Sequence, residues 1–174
     1  MTGRVTHSGF SELAARHSQL ETPLPPGPSP DDAAMPSLFT RIIAGEIPAQ
    51  FVFQEAQWVA FLDINPTAPG HALLVPRLEV QHLGDLTAEL QAGFGVHLAR
   101  LIAAVKRASG APAANVLIND GPAANQAIPH VHAHVIPRFP GDGKVVHPRG
   151  APYADAAAAA AWGGKLRAAW AAGG

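Results

Sequence analysis

The sequence predicts an α+β domain: a mainly antiparallel five-stranded sheet with one short and one long helix. Three observations predict it. Short β-rich runs are bounded by turn residues, one long segment carries apolar residues at helical spacing, and Pro129-His-Val-His-Ala-His-Val-Ile-Pro-Arg138 alternates histidine with apolar residues at the period of a strand.

In chain order, Ser37 is placed to cap a short helix whose apolar residues Leu38, Phe39, Ile42 and Ile43 share a face, and Gly45 ends it. Phe51-Val-Phe53 and Trp58-Val-Ala-Phe-Leu62 are β-rich runs joined by a short polar link, which reads as a hairpin. His71-Ala-Leu-Leu-Val-Pro76 is apolar without alternation, so it is expected to be the central strand, buried on both faces. Asp85 or Thr87 opens the main helix, in which Leu90, Phe94, Leu98, Leu101, Ile102 and Val105 recur at helical spacing up to Gly110. Asn115–Ile118 and Val131–Ile136 are the fourth and fifth strands. An Ala-rich helix from Asp155 to Ala172 follows, with Trp162, Leu166 and Trp170 on one face that is expected to dock on the domain or on a second subunit.

This pattern divides the chain into a Pro-rich tail over residues 1–35, a domain over 36–140 and an extension over 141–174. The prolines between Pro23 and Pro36 favour extended backbone and no packed core, so the tail is expected to be disordered. Met35 reads as an alternative translation start, an expectation that native peptides from the first 34 residues would overturn.

The chain has 174 residues, 48% of them hydrophobic, enough for one buried core. Its 12 basic and 13 acidic residues leave a formal net charge of −1, which excludes a binder that neutralises many nucleic-acid phosphates and leaves a small anionic ligand open. With no cysteine, a disulfide framework, a thiolate nucleophile and a thiolate zinc site are excluded. No apolar run approaches the ~20 residues that span a bilayer, and no signal pattern opens the chain, so a cytoplasmic protein without a membrane partner is expected.

Chemistry must then come from histidines, carboxylates or hydroxyls. Residues two apart on a strand share a face, so His130, His132 and His134 project together while Val131, Ala133 and Val135 turn to the core. Three adjacent imidazoles are poor packing material, because each needs partners for two ring nitrogens. They suit either a zinc ion or nucleophilic attack on phosphorus. The preceding loop, Asn119-Asp-Gly-Pro-Ala-Ala-Asn-Gln126, is rich in amides and glycine and suits donors closing around phosphate oxygens. No carboxylate lies between Gly121 and Gly141 to support a metal, so phosphorus chemistry is favoured and a zinc hydrolase is the alternative. Asp63 reads on its own as a turn-former before Pro66, and His82 and His97 as surface or helix-packing residues.

Taken together, Ser-Leu-Phe-Thr-Arg-Ile-Ile-Ala-Gly-Glu-Ile-Pro48, Phe-Leu-Asp-Ile-Asn-Pro66, Ala-Pro-Gly-His71, Asn-Val-Leu-Ile-Asn119 and the histidine segment resemble the histidine triad nucleotide hydrolases and transferases. The resemblance runs from Ser37 to Arg138. It implies a HIT-like fold, a homodimer, a purine nucleotide as ligand, and attack on its α-phosphorus without a cofactor. By resemblance His132 is the nucleophile, His134 a donor to the phosphate or leaving atom, and His130 and His71 orient the others. Asp63 would hold the ribose, Leu38, Phe39, Ile42, Phe61 and Ile64 would wall the purine, and Asn119 and Gln126 would hold phosphate oxygens.

The chain also departs from the family. Ala127 stands where many members carry a small hydroxyl residue near the leaving group, and Asn125 where they carry glycine, both positions lying against the nucleotide. These departures keep open a nucleotide-binding protein with negligible turnover. Some bacterial relatives bind zinc through cysteines near the start of the domain; Ser37 and Thr40 offer none, so no structural zinc is expected. The substrates implied are nucleoside phosphoramidates, including adenylated lysine, or dinucleoside polyphosphates. Only Arg138, Lys144, Arg149 and Arg77 could pair with a long polyphosphate, which favours a small leaving group.

Overall fold

A computed structural model of the chain describes residues 35–144 and 153–172. The expected tail over 1–35 lies outside the described residues except for Met35, and Arg149 also lies outside them. Everything below concerns the unit that begins at Ser37.

Helix α1 spans Leu38–Ile43, with the Ser37 hydroxyl oxygen accepting the Thr40 N–H at 3.1 Å. Strands β1 (Phe51–Gln54) and β2 (Trp58–Leu62) form the hairpin, and β3 spans Ala72–Pro76. Helix α2 spans Ala88–Ser109. Thr87 supplies its cap and Gly110, at φ +70°, its left-handed end, while Asp85 falls in a preceding turn of 3-10 helix. Strand β4 is Ala113–Ile118 and β5 is Ala133–Arg138. The sheet order is β1-β2-β3-β5-β4, every pair antiparallel, so the unalternating β3 is indeed central.

Both faces of the sheet are covered. Trp58, Ala60, Ala72, Leu74, Val131, Ala133 and Val135 pack with Leu90, Leu101 and Val105 of α2. The alternate residues Val59, Phe61, Leu73 and Val75 pack on the other face with Phe39 and Ile42 of α1. Double burial is why β2 and β3 read as continuous apolar runs.

Two expectations are corrected. The fifth strand was expected from Val131, but it begins at Ala133 and runs on to Arg138. The reason is that Val131 donates its N–H to Val80 O at 2.7 Å, in the segment after β3, before the ladder with Leu74 begins at Ala133. Helix α3 spans Ala156–Ala172, but its apolar face does not dock on the domain: Trp162 is 52%, Leu166 65% and Trp170 87% exposed, which leaves docking on a second subunit as the expectation. Among the described residues no helix is long and apolar enough to cross a membrane.

Leu101 is 1% exposed at the centre of the α2 contact, so Leu101→Ala is expected to cost about 3 kcal/mol in urea denaturation. Val96→Ala on the same helix, where Val96 is 59% exposed, should stay within about 0.5 kcal/mol.

Candidate functional site

The alternation that sends Val131, Ala133 and Val135 toward α2 turns His130, His132 and His134 toward the α1 face. Phe39 meets both His130 and His132 edge-on, with centroids 5.9 and 4.9 Å apart, and the rings of His132 and His134 lie 4.9 Å apart. The three are therefore brought together although only His134 lies within β5.

Backbone partners place the ring protons. His130 is fully buried. Its Nε2–H donates to Pro76 O at 2.9 Å, because a carbonyl can only accept, so its Nδ1 accepts the Ser37 hydroxyl at 2.8 Å. His132 donates Nδ1–H to His130 O at 2.8 Å, which leaves its Nε2 with a free lone pair. The Thr67 N–H donates to His71 Nδ1 at 3.1 Å, so His71 carries its proton on Nε2 and donates it to His134 Nδ1 at 2.9 Å. His134 is left with a proton on Nε2. The site thus sets an imidazole lone pair beside an imidazole N–H donor, both neutral.

Electrostatics agree with this assignment. Burial depresses His71, His130 and His132 below their ordinary value near 6.5. It also pushes His134 down to about 4, helped by neighbouring His132 and His71 and opposed by Asp63. Asp63 does two things: one carboxylate oxygen accepts the Asn65 N–H at 2.8 Å, the turn its position before Pro66 suggests, and the other lies 3.6 Å from His71 Nε2 and 3.7 Å from His134 Nδ1.

Asp63, His71 and His134 also have the spacing to surround a cation. The tautomer opposes it. While Thr67 donates to Nδ1, His71 has no lone pair at Nε2, and a cation there would turn the ring's remaining N–H against the Thr67 N–H.

The remaining expected residues fall into two groups. Phe61, 2% exposed, packs with Phe39 and Ile42 in the layer under the site. Leu38 and Ile64 keep open surface, at 41% and 91% exposure. In the loop, Gln126 is buried and its amide is engaged: it accepts the Gly121 N–H at 2.8 Å and donates to Gln81 O at 2.7 Å, bracing the loop against the chain after β3. Asn119 closes the same loop by donating to Asn125 O at 3.2 Å. Asn125 has φ +63°, a conformation in which glycine and asparagine are the favoured residues, and Ala127 is exposed. His82 pairs with Asp120 at the surface, and His97 packs on Trp58 and bonds Glu55.

Two of the four cations expected to pair with a polyphosphate have hydrogen-bond partners among the described residues. Arg138 binds both carboxylate oxygens of Asp142, Asn115 Oδ1 and Lys144 O, and holds the Asp142 carboxyl far below the usual range. Arg77 donates to Glu55 O.

One group shaped the site without being legible in the sequence. Glu79 accepts the Ser37 N–H on both its oxygens, at 3.1 Å each, and the Thr40 hydroxyl. Only the fold brings it to α1.

The HIT domain family model matches residues 44–141. An uncharacterized HIT-like protein of Methanocaldococcus jannaschii is 38% identical over 109 residues, 63% of this chain and 84% of that protein. An adenosine 5'-monophosphoramidase of Schizosaccharomyces pombe is 38% identical over 104 residues, 60% of this chain and 75% of that protein. The crystal structure of a histidine triad nucleotide-binding protein from Candida albicans superposes with a TM-score of 0.70 at 27% identity, covering 80% of this chain and all of that one.

A histidine whose folded pKa lies below 6.5 binds its proton more readily when unfolded. The stability it contributes is complete above that value and is lost as pH falls toward the folded pKa. Urea midpoints are therefore expected to fall as pH drops below 6.5, and to fall less steeply in His134→Gln. A midpoint that rises toward acid would contradict the neutral assignment.

Proposed function

Because the chain belongs to the histidine triad family, we propose that it is a nucleotide hydrolase or transferase that works through a covalent nucleotidyl-His132 intermediate. The observation that carries this reading is the fixed tautomer pair: His132 Nε2 has its lone pair free because Nδ1–H is committed to His130 O, and His134 stands beside it as an N–H donor.

In this reading the substrate is a purine nucleotide conjugate. Nε2 attacks the α-phosphorus, an N–P bond forms, and the bond to the leaving group breaks. His134 donates to a phosphate oxygen or to the leaving atom as charge develops there. Water then attacks the phosphorus, the N–P bond breaks, and nucleotide and free His132 are regenerated. Burial keeps His132 unprotonated at neutral pH, so the nucleophile needs no separate base. Asp63 would meet the ribose hydroxyls, Leu38 and Ile64 the purine, and the braced loop from Asn119 to Ala127 the phosphate.

A nucleoside phosphoramidate is the favoured class over a dinucleoside polyphosphate. Arg138 is committed to Asp142, which withdraws it from a long phosphate chain, and the S. pombe relative is named a monophosphoramidase. The working unit in this reading is a homodimer, which the open edge of β4 and exposed Val96 and Val116 would suit. One observation favours a second reading, a nucleotide-binding protein with negligible turnover: Ala127 offers no hydroxyl to protonate a departing group.

Incubating the protein with an adenosine phosphoramidate and quenching without acid should yield an adenylyl adduct by intact mass. His132→Asn should lose both adduct and turnover, by about 1,000-fold or more, while still binding adenosine monophosphate. Turnover equal to the unaltered protein's would refute the role given to His132, and binding without any turnover in the unaltered protein would favour the second reading.

A further inference from the structure

The family reading leaves Glu79 without a role, yet it stands at the head of an unbroken path to the nucleophile. Its two oxygens take the Ser37 N–H and the Thr40 hydroxyl, which fastens the first turn of α1 to the chain just after β3. Thr40 spends its proton on Glu79, and Ser37 Oγ accepts the Thr40 N–H; the Ser37 hydroxyl proton has two acceptors in reach, Thr40 Oγ1 at 3.2 Å and His130 Nδ1 at 2.8 Å, and the closer one is His130. The same post-β3 segment supplies the other two grips: Pro76 O takes His130 Nε2–H at 2.9 Å, and Val80 O takes the Val131 N–H at 2.7 Å. His130 O then receives His132 Nδ1–H.

Without the Ser37 hydroxyl, His130 Nδ1 would be a buried acceptor with no strong donor, because Thr40 Oγ1 lies 3.5 Å away. We propose that Glu79 is a positioning residue for the nucleophile: its carboxylate clamps the start of α1 so that Ser37 holds the His130 ring, and His130, through its carbonyl, holds His132. The inference rests on the role given to His132 above. The carboxylate is also suited to a permanent clamp. Burial works against its charge, but hydrogen bonds from Thr40 and Ser37 overcome this and leave its carboxyl below the ordinary value.

The test is a double-mutant cycle with two readouts, one of which needs no substrate. In proton spectra of 15N-histidine-labelled protein near neutral pH, the ring N–H signals of His130 and His132 are expected to be sharp. They should broaden through faster solvent exchange in Glu79→Gln and in Ser37→Ala, while Glu79→Asp restores them in part. Signals unchanged in Glu79→Gln would overturn the proposal.

With the adenosine phosphoramidate, each single variant should lower kcat by about tenfold with KM within about twofold, as outer-shell partners of reactive groups do. The double variant should be no worse than either single one. Effects that multiply to about a hundredfold, or a kcat unchanged in Ser37→Ala, would overturn it. If Glu79→Gln does not fold, Ser37→Ala decides both readouts alone. If the unaltered protein turns nothing over, the proposed function fails, and the ring N–H signals still decide this proposal.

Discussion

Burial makes a charge or an unpaired nitrogen on an imidazole costly, and this chain packs three such rings, His71, His130 and His132, with His134 beside them. Most of the site is the solution to that constraint. Each ring is neutral, and the backbone decides where each proton sits: the Thr67 N–H for His71, Pro76 O for His130, His130 O for His132. Among the described residues two positions are left over from these bonds: the Nε2 lone pair of His132 and the Nε2–H of His134. Structural satisfaction and an available lone pair are thus two results of the same bonds.

The sheet makes the arrangement affordable by separating two tasks onto two faces. Odd-numbered residues of the histidine segment complete the core against α2, while the even-numbered ones meet the layer under α1, where Phe39 presents its edge to two rings. A shift of one residue would exchange the sets and bury three imidazoles against Leu90, Leu101 and Val105, so packing fixes the register on which the chemistry depends. The central place of β3 matters in the same way. It is paired with β5 at Leu74 and Ala133, and the chain that leaves it carries Pro76 O, Glu79 and Val80 O to the histidines.

Much of this was legible in the sequence where a period or a cap carries it. The helix over α2 followed from apolar spacing between Thr87 and Gly110, β3 from an unbroken apolar run, and the shared histidine face from alternation. What was illegible depends on long-range pairing. The start of β5 moved because Val131 bonds across to Val80, and Glu79 is 42 residues from the Ser37 N–H it accepts. An amide in a glycine-containing loop suits a phosphate donor, but only the fold shows that Gln126 also braces the loop through Gly121 and Gln81. Phe61 has the composition of a ligand wall and the burial of a core residue. Burial is a property of what lies opposite, which no local pattern records.

In the proposed mechanism phosphorus passes through His132 in two displacements rather than being attacked directly by water. A phosphorothioate analogue of the nucleoside phosphoramidate, chiral at phosphorus and hydrolysed in 18O-water, reads this directly. Two successive in-line displacements predict net retention of configuration at phosphorus. Net inversion would mean a single displacement by water, and the lone pair on which this account turns would not be the nucleophile.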